Sequence, residues 1–290
     1  MPRVSIVMGV YNIKSYGELK GTAESVIAQT FTDWEFIICD DGSTNDTRAF
    51  LERIGSMDPR IRIIGYPDNR GLASALNACI EVSSGELIAR QDADDISYPE
   101  RLQREVDFLD EHPEYDIVGC NARLYDHENG CWGDYKTKEE PGTRDFLRTT
   151  QFLHPSVVIR RDSLLKAGKY RVAKETRRCQ DYDLFMRMYS MGMRGYNLQE
   201  FLMDYYQKDG HQRELSWKRR REEAVLRWKG FRSLGLMPGA LPFVVKPLVM
   251  KLLPQKLYRK LKKGEGGDSG NENGRSRDHL QQKGIAGEKS

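Results

Sequence analysis

Three carboxylates lie within four residues of this chain, at Asp92, Asp94 and Asp95. They follow a short apolar run, residues 87–89, of the kind that forms a buried strand. Carboxylates are costly to bury without a cation, so we expect the strand to deliver them to an open edge of a sheet. Their oxygen atoms suit Mg²⁺ or Mn²⁺ held jointly with substrate phosphates. The alternative is a polar turn that leads into a helix starting at Pro99.

The elements around this triplet alternate between two patterns. Apolar runs with strand character occur at residues 4–8, 34–39, 61–64 and 87–89, and helical spacing occurs at 19–27, from 43 or 44 to about 54, at 72–82 and at 99–109. Four strand-then-helix alternations predict a parallel sheet with helices on both faces. We therefore assign the chain to the α/β class, with a mostly parallel, Rossmann-like central sheet. Ser43 or Thr44 is expected to cap the second helix.

Polar residues follow each of the four predicted strands. The clusters are Tyr11-Asn12, Asp40-Asp41, Asn69-Arg70 and the three carboxylates, with Arg90 beside them. Ligands of such sheets bind outside the carboxyl ends of the strands, so we expect the clusters to line one site. Tyr11 could stack on a base, Asp41 could accept hydrogen bonds from a base or ribose, and Arg70 could neutralise a phosphate. Taken singly, each is as compatible with packing, a turn or a solvated side chain.

The second half of the chain is less regular. Residues 121–138 are expected to be irregular strand and loop, with a strand at 157–159 and helices at 162–167 and 180–191. We expect this half to supply the pocket of a second substrate.

The formal net charge of +3 is unevenly distributed. Residues 218–263 contain fourteen Lys and Arg against two Glu, which leaves a balance of −9 for the rest. With its apolar stretch at 241–253, this basic helical extension is predicted to contact an anionic membrane surface. Alternatively, the extension forms a helical pair that packs on the remainder of the chain. Nucleic acid as its binding partner is not expected, because no recognition motif is found. Residues 264–290 are predicted to be disordered.

The five cysteines are widely spaced and include no CxxC pair. This spacing predicts neither a zinc site nor a disulfide framework, and it favours a reducing compartment. We find no signal-peptide pattern and no apolar run long enough to span a bilayer. We therefore expect a cytoplasmic protein.

Four blocks of the chain resemble, in order and spacing, those of family 2 glycosyltransferases with the GT-A fold. The blocks are residues 4–12, 40–46, 69–71 and 92–95, and the resemblance extends over about residues 2–205. The first block departs from the family pattern because Gly9 stands where proline is usual, while Tyr11 and Asn12 remain.

The resemblance implies how the first half would bind a donor. Tyr11 and Asp41 would hold the uracil of a UDP-sugar, with Asp40 beside them. Asp92 would contact the ribose or the sugar. The full donor-binding set that we predict is Tyr11, Asn12, Asp40, Asp41, Arg70, Arg90 and Asp92.

The same resemblance implies a metal site and a catalytic base. Asp94, helped by Asp95, would bind Mn²⁺ or Mg²⁺ on the diphosphate. The Glu-Asp catalytic block of the family is matched by Gln180-Asp181, so Asp181 would be the general base, and Gln180 would lie at the acceptor. His154 matches a block seen in bacterial members, near the acceptor or the diphosphate.

Together these assignments predict a metal-dependent, inverting glycosyltransferase. It would move a hexose or N-acetylhexosamine from a UDP-sugar to a saccharide or lipid-linked saccharide in the assembly of polysaccharide, lipopolysaccharide or capsule. Residues 1–120 would bind the nucleotide-sugar, residues 121–210 the acceptor, and the basic extension at 211–263 the inner face of the plasma membrane.

Two other classes of protein remain possible at this stage. A sugar-nucleotide nucleotidyltransferase shares the α/β plan and the metal carboxylates, but it would need a Gly-rich, basic first loop that residues 9–12 lack. A non-catalytic, membrane-associated nucleotide-sugar binder is compatible with Gln180, although Asp181 and the three carboxylates argue against it.

Overall fold

The computed structural model describes residues 1–126, 130–207 and 216–252. The first part alternates strands and helices: β1 Val4–Val10, α1 Tyr16–Ile27, β2 Trp34–Asp41, α2 Thr47–Gly55, β3 Ile61–Tyr66, α3 Leu72–Val82, β4 Leu87–Arg90, β5 Ile96–Ser97 and α4 Arg101–Glu111. The remainder contains β6 Ile117–Asp126, β7 Gly130–Tyr135, β8 Val158–Arg160, α5 Arg161–Lys166, α6 Gln180–Ser190, β9 Gly195–Tyr206, α7 Trp217–Ser233 and α8 Leu241–Leu252. Short 3₁₀ helices occupy Thr143–Leu147 and His154–Ser156.

The strands form one sheet in the order β3-β2-β1-β4-β8-β6-β9-β5, and β7 pairs with β6. Strands β3, β2, β1 and β4 are parallel, and Val7 of β1 lies between Ile37 of β2 and Arg90 of β4. β8 then pairs antiparallel with β4 and β6, whereas β6 and β9 run parallel. The predicted α/β class with a parallel nucleus is confirmed, and the strand directions are mixed in the second half.

Helices cover both faces of the sheet because successive side chains of a strand point to opposite faces. On one face Val7, Ile37 and Ile88 pack in a core with residues of α3, α6 and α7. On the other face Ile6 and Ile38 pack with residues of α1, α2 and α4. The central strands are buried on both sides, which explains why their sequences are almost continuously apolar.

Gly9, where the family pattern has proline, faces α3. A Cβ atom at Gly9 would lie 2.9 Å from the Cβ atom of Ala75 and 3.0 Å from a methyl group of Leu72. Interiors are close-packed and do not absorb such an overlap without displacement. Glycine at this position therefore allows α3 to lie close against β1.

The predicted cap of α2 is wrong. This helix begins at Thr47, Asp46 precedes it, and no side chain caps it. Ser43 and Thr44 instead make hydrogen bonds with Asn12, which lies in the loop after β1. α4 begins at Arg101 rather than at the predicted residue 99.

Strands β6 and β7 occupy much of the segment predicted to be irregular strand and loop, and a further strand, β9, lies beyond it. Residues 121–138 include the second half of β6 and all of β7, and β9, a strand of 12 residues, was not predicted. β9 pairs with β6, beginning where Ile117 lies opposite Gly195. A strand whose partner is so distant in sequence depends on tertiary pairing rather than on a local pattern.

The basic extension predicted at 211–263 begins with a helix that packs on the rest of the chain. Leu226 and Phe231 of α7 are fully buried in the core that contains α6. Nη1 of Arg227 donates to the carbonyl oxygen of Leu147 at 3.1 Å. α7 is therefore part of the folded body.

The apolar stretch predicted at 241–253 includes α8, and Pro247 lies inside this helix. The tail predicted to be disordered, residues 264–290, lies outside the described residues. Within the described ranges, no helix combines the length and the apolar character needed to cross a membrane.

Candidate active site

The three carboxylates lie on the loop that follows β4. This strand is buried along its whole length and ends at Arg90, and residues 91–95, here called the carboxylate loop, connect it to β5. Asp92 is partly exposed, Asp94 is exposed, and Asp95 is fully buried. The structure thus places the carboxylates at the carboxyl edge of the parallel strands, as the apolar run predicted.

Arg90 lies beneath the carboxylate loop. Its side chain is 1% exposed, and its Nη2 atom forms an ion pair with Oδ1 of Asp92. Its Nε and Nη1 atoms are buried and have no hydrogen-bond partner within the part of the chain that the structure describes. The Arg90 side chain is closed off from solvent, and its predicted contact with the donor remains a prediction.

Negative charge accumulates on the carboxylate loop. Partial removal from water, followed by the charge of Asp92, raises the pKa of Asp94 to about 6. Burial, followed by the charges of Asp92 and Asp94, raises the pKa of Asp95 well above its usual range. Oδ2 of Asp95 is buried without a hydrogen-bond partner among the described residues. The protein neighbours of the loop therefore offset only part of the negative charge that the three carboxyl groups carry when ionised.

This charge fits a divalent cation. No group of three or more His, Cys, Asp or Glu side chains has a metal-binding arrangement in residues 1–126, 130–207 and 216–252. Mg²⁺ is commonly held by one or two carboxylates together with substrate phosphates. Asp94, helped by Asp95, would be the protein ligands in such a site.

The loop after β1 is joined to the loop after β2 by Asn12. Its backbone N–H donates to the Ser43 hydroxyl at 2.9 Å, and its Oδ1 accepts from the Thr44 N–H at 2.9 Å. Asn12 has a φ of 50°, a conformation that asparagine tolerates better than most residues. Tyr11, directly before it, is 47% exposed, so its ring is open to a ligand.

Asp41 holds the loop after β3. Its carboxylate is 3% exposed and accepts hydrogen bonds from the Tyr66 hydroxyl at 2.7 Å, the Asn69 side chain at 2.9 Å, and the N–H groups of Arg70 and Gly71 at 2.8 Å each. A carboxylate offers about four lone-pair sites. Protein donors therefore occupy most of the accepting capacity of Asp41, which was predicted to hold the uracil directly.

The remaining donor-side residues lie at the same edge. Oδ1 of Asp40 accepts from the Ser43 N–H at 3.0 Å. The Arg70 side chain is exposed, and its guanidinium carbon lies 4.5 Å from the centroid of the Tyr66 ring. The structure thus brings the four predicted clusters together, and their contacts with a donor remain predictions.

Asp181 lies in the first turn of α6 and comes close to the carboxylate loop. Burial is the main cause that raises the pKa of its carboxyl to about 6, and the charge of Asp92 adds to it. The N–H groups of Asp181 and Tyr182 and the charge of Arg90 oppose the rise. The fold therefore places the candidate base within electrostatic reach of the Asp92–Arg90 pair. Gln180, directly before it, is 7% exposed.

His154 is also buried, within electrostatic reach of Arg90. Its Nε2 atom is 2.8 Å from the hydroxyl oxygen of Tyr170, and both rings are buried. Burial, followed by the charge of Arg90, lowers the pKa of His154 well below its usual range. His154 is therefore a neutral imidazole beside the site, and its predicted contact with an acceptor or a diphosphate remains a prediction.

Three residues that position this site were not predicted from the sequence. Gln91 and Arg101 hold the carboxylate loop from inside the protein, and the Tyr206 N–H donates to Oδ1 of Asp95 at 2.8 Å. Tyr206 ends β9 and lies far from Asp95 in sequence, so no local pattern reports this contact. For Arg101 the sequence offers only an arginine shortly after the carboxylate triplet, and its burial is visible only in the structure.

The fold and its edge of carboxylates place the protein among glycosyltransferases of the GT-A type. Residues 5–168, more than half of the chain, match the family described as "Glycosyl transferase family 2". The chain therefore belongs to glycosyl transferase family 2, as the four sequence blocks predicted.

Two relatives are similar over nearly their whole length. The chain is 33% identical over 263 residues to the putative glycosyltransferase EpsE of Bacillus subtilis (strain 168), covering 90% of this chain and 94% of that protein. It is 29% identical over 273 residues to the amylovoran biosynthesis glycosyltransferase AmsE of Erwinia amylovora, covering 90% and 99%.

Solved structures share the fold at low sequence identity. Residues 1–349 of S. aureus TarS, in complex with UDP-GlcNAc, superpose with a TM-score of 0.66 at 17% identity, covering 84% of this chain and 73% of that chain. The mannosyltransferase PcManGT from Pyrobaculum calidifontis, in complex with GDP-Man and Mn²⁺, superposes with a TM-score of 0.59 at 19% identity, covering 91% and 80%. These matches show the GT-A fold.

Proposed function

We propose that the protein transfers a sugar from a UDP-sugar to a saccharide or lipid-linked saccharide, with a divalent cation and with inversion at the anomeric carbon. The observation that carries this proposal is the closeness of two groups from different halves of the fold. The charges of Asp92 and Arg90, at the end of β4, act on the pKa of the Asp181 carboxyl on α6. A sugar bound between them would meet a donor-side carboxylate and a proton acceptor.

The donor would lie along the carboxyl edge of β1, β2 and β4. Tyr11 is exposed and would stack on the uracil, because an aromatic face suits a planar base. Asn12 and Asp40 support the loops on either side of that ring. Asp41 would shape the pocket by holding Asn69–Gly71 in place, and the exposed Arg70 would meet the phosphates. The complex of the similar TarS with UDP-GlcNAc favours a uridine donor carrying an N-acetylhexosamine.

The reaction needs one proton transfer and one stabilised leaving group. An acceptor hydroxyl attacks the anomeric carbon, and Asp181 takes its proton. The bond from the anomeric carbon to the diphosphate breaks, and UDP leaves with the electron pair. A divalent cation held by Asp94 and Asp95 would stabilise the charge that develops on that diphosphate. Arg90 holds Asp92 toward the donor, and a single base without a carboxylate nucleophile predicts inversion.

The acceptor would belong to a surface polysaccharide, lipopolysaccharide or capsule. AmsE, similar over 90% of this chain, is a glycosyltransferase of amylovoran biosynthesis. The outer face of α7 and α8 combines exposed apolar and basic side chains, a composition that suits an anionic lipid surface. Its members are Trp217, Lys218, Arg221, Val225, Trp228, Arg232, Leu241, Val245 and Val249. We propose that this outer face rests on the inner face of the plasma membrane.

The experiment is a panel of UDP-sugars with Mn²⁺ or Mg²⁺, in which UDP release is measured with and without a saccharide acceptor. Asp181→Asn should bind UDP as the native protein does and lower kcat by about 10²- to 10⁴-fold, the usual contribution of a general base. Asp94→Asn should abolish metal-dependent UDP release. Asp107→Asn, on the exposed side of α4, is the matched control and should behave as the native protein does.

Three outcomes would contradict the proposal. Transfer by Asp181→Asn at the native rate would remove Asp181 as the base. Release of pyrophosphate from a nucleoside triphosphate and a sugar phosphate would indicate the nucleotidyltransferase alternative. Tight binding of UDP-sugars with neither hydrolysis nor transfer for any acceptor of the panel would indicate the non-catalytic binder.

A further inference from the structure

A buried arginine at the start of α4 holds the carboxylate loop from below. The side chain of Arg101 is about as buried as that of Arg90, and its Nε, Nη1 and Nη2 atoms all donate hydrogen bonds. Nη2 donates to the carbonyl oxygen of Arg90 at 2.9 Å, and Nη1 donates to Oε1 of Gln91 at 3.0 Å and to the Ser97 hydroxyl at 2.8 Å. Nε donates to Oε2 of Glu105 at 3.2 Å on the far side from the loop.

The Gln91 side chain links Arg101 to the backbone of the carboxylate loop. While its Oε1 accepts from Arg101, its Nε2 donates to the carbonyl oxygens of Asp92 at 3.2 Å and Asp95 at 3.0 Å. The Thr22 hydroxyl of α1 donates to the same Asp95 carbonyl at 3.0 Å. The backbone on both sides of Asp94 is thus tied to one buried guanidinium group.

We propose that Arg101 is a positioning residue for the carboxylate loop, and that it sets the affinity of the site for UDP and its cation. The proposal rests on the function proposed above. The ionised forms of Asp92, Asp94 and Asp95 repel one another, so an unsupported loop would relax by turning them apart. The planar group of Arg101 restrains the loop directly at the Arg90 carbonyl and, through the Gln91 side chain, at the carbonyl oxygens of Asp92 and Asp95. The charge of Arg101 is paired with Glu105 on the far side from the loop. The carboxylates are therefore held together before a ligand arrives, which lowers the ordering cost of binding.

The test separates the two properties of this guanidinium. Arg101→Lys keeps the charge but cannot reach Arg90, Gln91, Ser97 and Glu105 together, because an ammonium group has no planar fork. Isothermal titration with UDP and Mn²⁺ should give a Kd at least about tenfold higher than that of the native protein, as expected for loss of a hydrogen bond to a charged group. Amide hydrogen exchange of residues 91–98, without ligand, should be faster than in the native protein.

Two variants of α4 serve as controls. Arg104→Lys makes the same exchange at an exposed arginine of α4 that pairs with Glu200, and it should leave both readouts unchanged. Glu105→Gln removes the ion pair on the far side of Arg101 and leaves its contacts with the loop. It should lower Tm while leaving the Kd for UDP and Mn²⁺ at the native value.

Each outcome decides one point. If the amide hydrogens of residues 91–98 exchange at the same rate in Arg101→Lys as in the native protein, the proposal is overturned. Faster exchange with a native Kd would also overturn it, because the loop would then be held for a reason unrelated to binding. If the native protein binds no UDP with Mn²⁺, the proposed function fails, and hydrogen exchange alone then decides whether Arg101 positions the loop.

Discussion

Asp181 owes its proposed role to its surroundings. Burial raises the pKa of its carboxyl to about 6, and the neighbouring Asp92 adds to the rise while Arg90 opposes it. A base with this pKa is ionised at neutral pH, yet it holds a proton more firmly than an exposed aspartate does. It is therefore better matched to accepting a proton near neutral pH.

This pKa predicts the pH dependence of the reaction. A general base must be ionised to act, so kcat should be level above about pH 7 and fall about tenfold per pH unit below about pH 6. Asp94 has a pKa in the same range, so kcat should be measured with Mn²⁺ and UDP-sugar at saturation. A profile that stays level down to pH 5 would show that Asp181 is not the base.

At the scale of elements, the edge of the sheet is built by loops that hold one another. Asn12 joins the loop after β1 to the loop after β2. Asp41, at the end of β2, joins that strand to the loop after β3 through Asn69, Arg70 and Gly71. Asn12 and Asp41, both from the family blocks, thus hold neighbouring loops of the protein together.

A substitution at Asp41 distinguishes support of a loop from contact with a ligand. Asp41→Ala leaves several donors around a buried position without an acceptor, so the free energy of unfolding should fall by about 3 kcal/mol in the absence of UDP. Urea unfolding without ligand measures this change. Asp68→Ala, an exposed position in the loop that Asp41 holds, should leave stability unchanged. Native stability of Asp41→Ala together with weak UDP binding would instead assign the carboxylate to the uracil.

At the scale of the whole molecule, α7 of the basic extension is part of the folded body. The inner side of α7 buries Leu226 and Phe231 in the main core, while the opposite side carries the exposed residues proposed to meet a membrane. Removal of α7 would therefore damage the fold as well as the outer face. Charge reversal on the outer face tests membrane binding without this complication.

The variant combines Lys218→Glu, Arg221→Glu and Arg232→Glu. Each basic residue near an anionic surface contributes about 1 kcal/mol, so binding to vesicles that contain phosphatidylserine should weaken at least about 100-fold. Flotation of the full chain measures this change, and Tm should stay within a few degrees of the native value because the three side chains are exposed.

The matched control reverses three basic residues on other surfaces: Lys14→Glu, Arg48→Glu and Lys166→Glu. This control equals the variant in net charge and should bind vesicles as the native protein does. Equal loss of binding in both would show that net charge, and not the outer face of α7 and α8, attracts the chain to the lipid.

The sequence by itself determined the α/β class, the first four strands and the placement of polar clusters at their ends. These features are local, because apolar runs and turn residues report burial and strand ends within a few residues. The tertiary structure alone decided which groups meet. The proximity of Asp181 to Asp92, the hydrogen bond from the Tyr206 N–H to Asp95 and the pairing of β9 with β6 all join distant parts of the chain. Asp41 and Arg101 likewise hold loops through contacts between separate elements. Local patterns carry no information on such contacts, since their cause is packing between segments that are far apart along the chain.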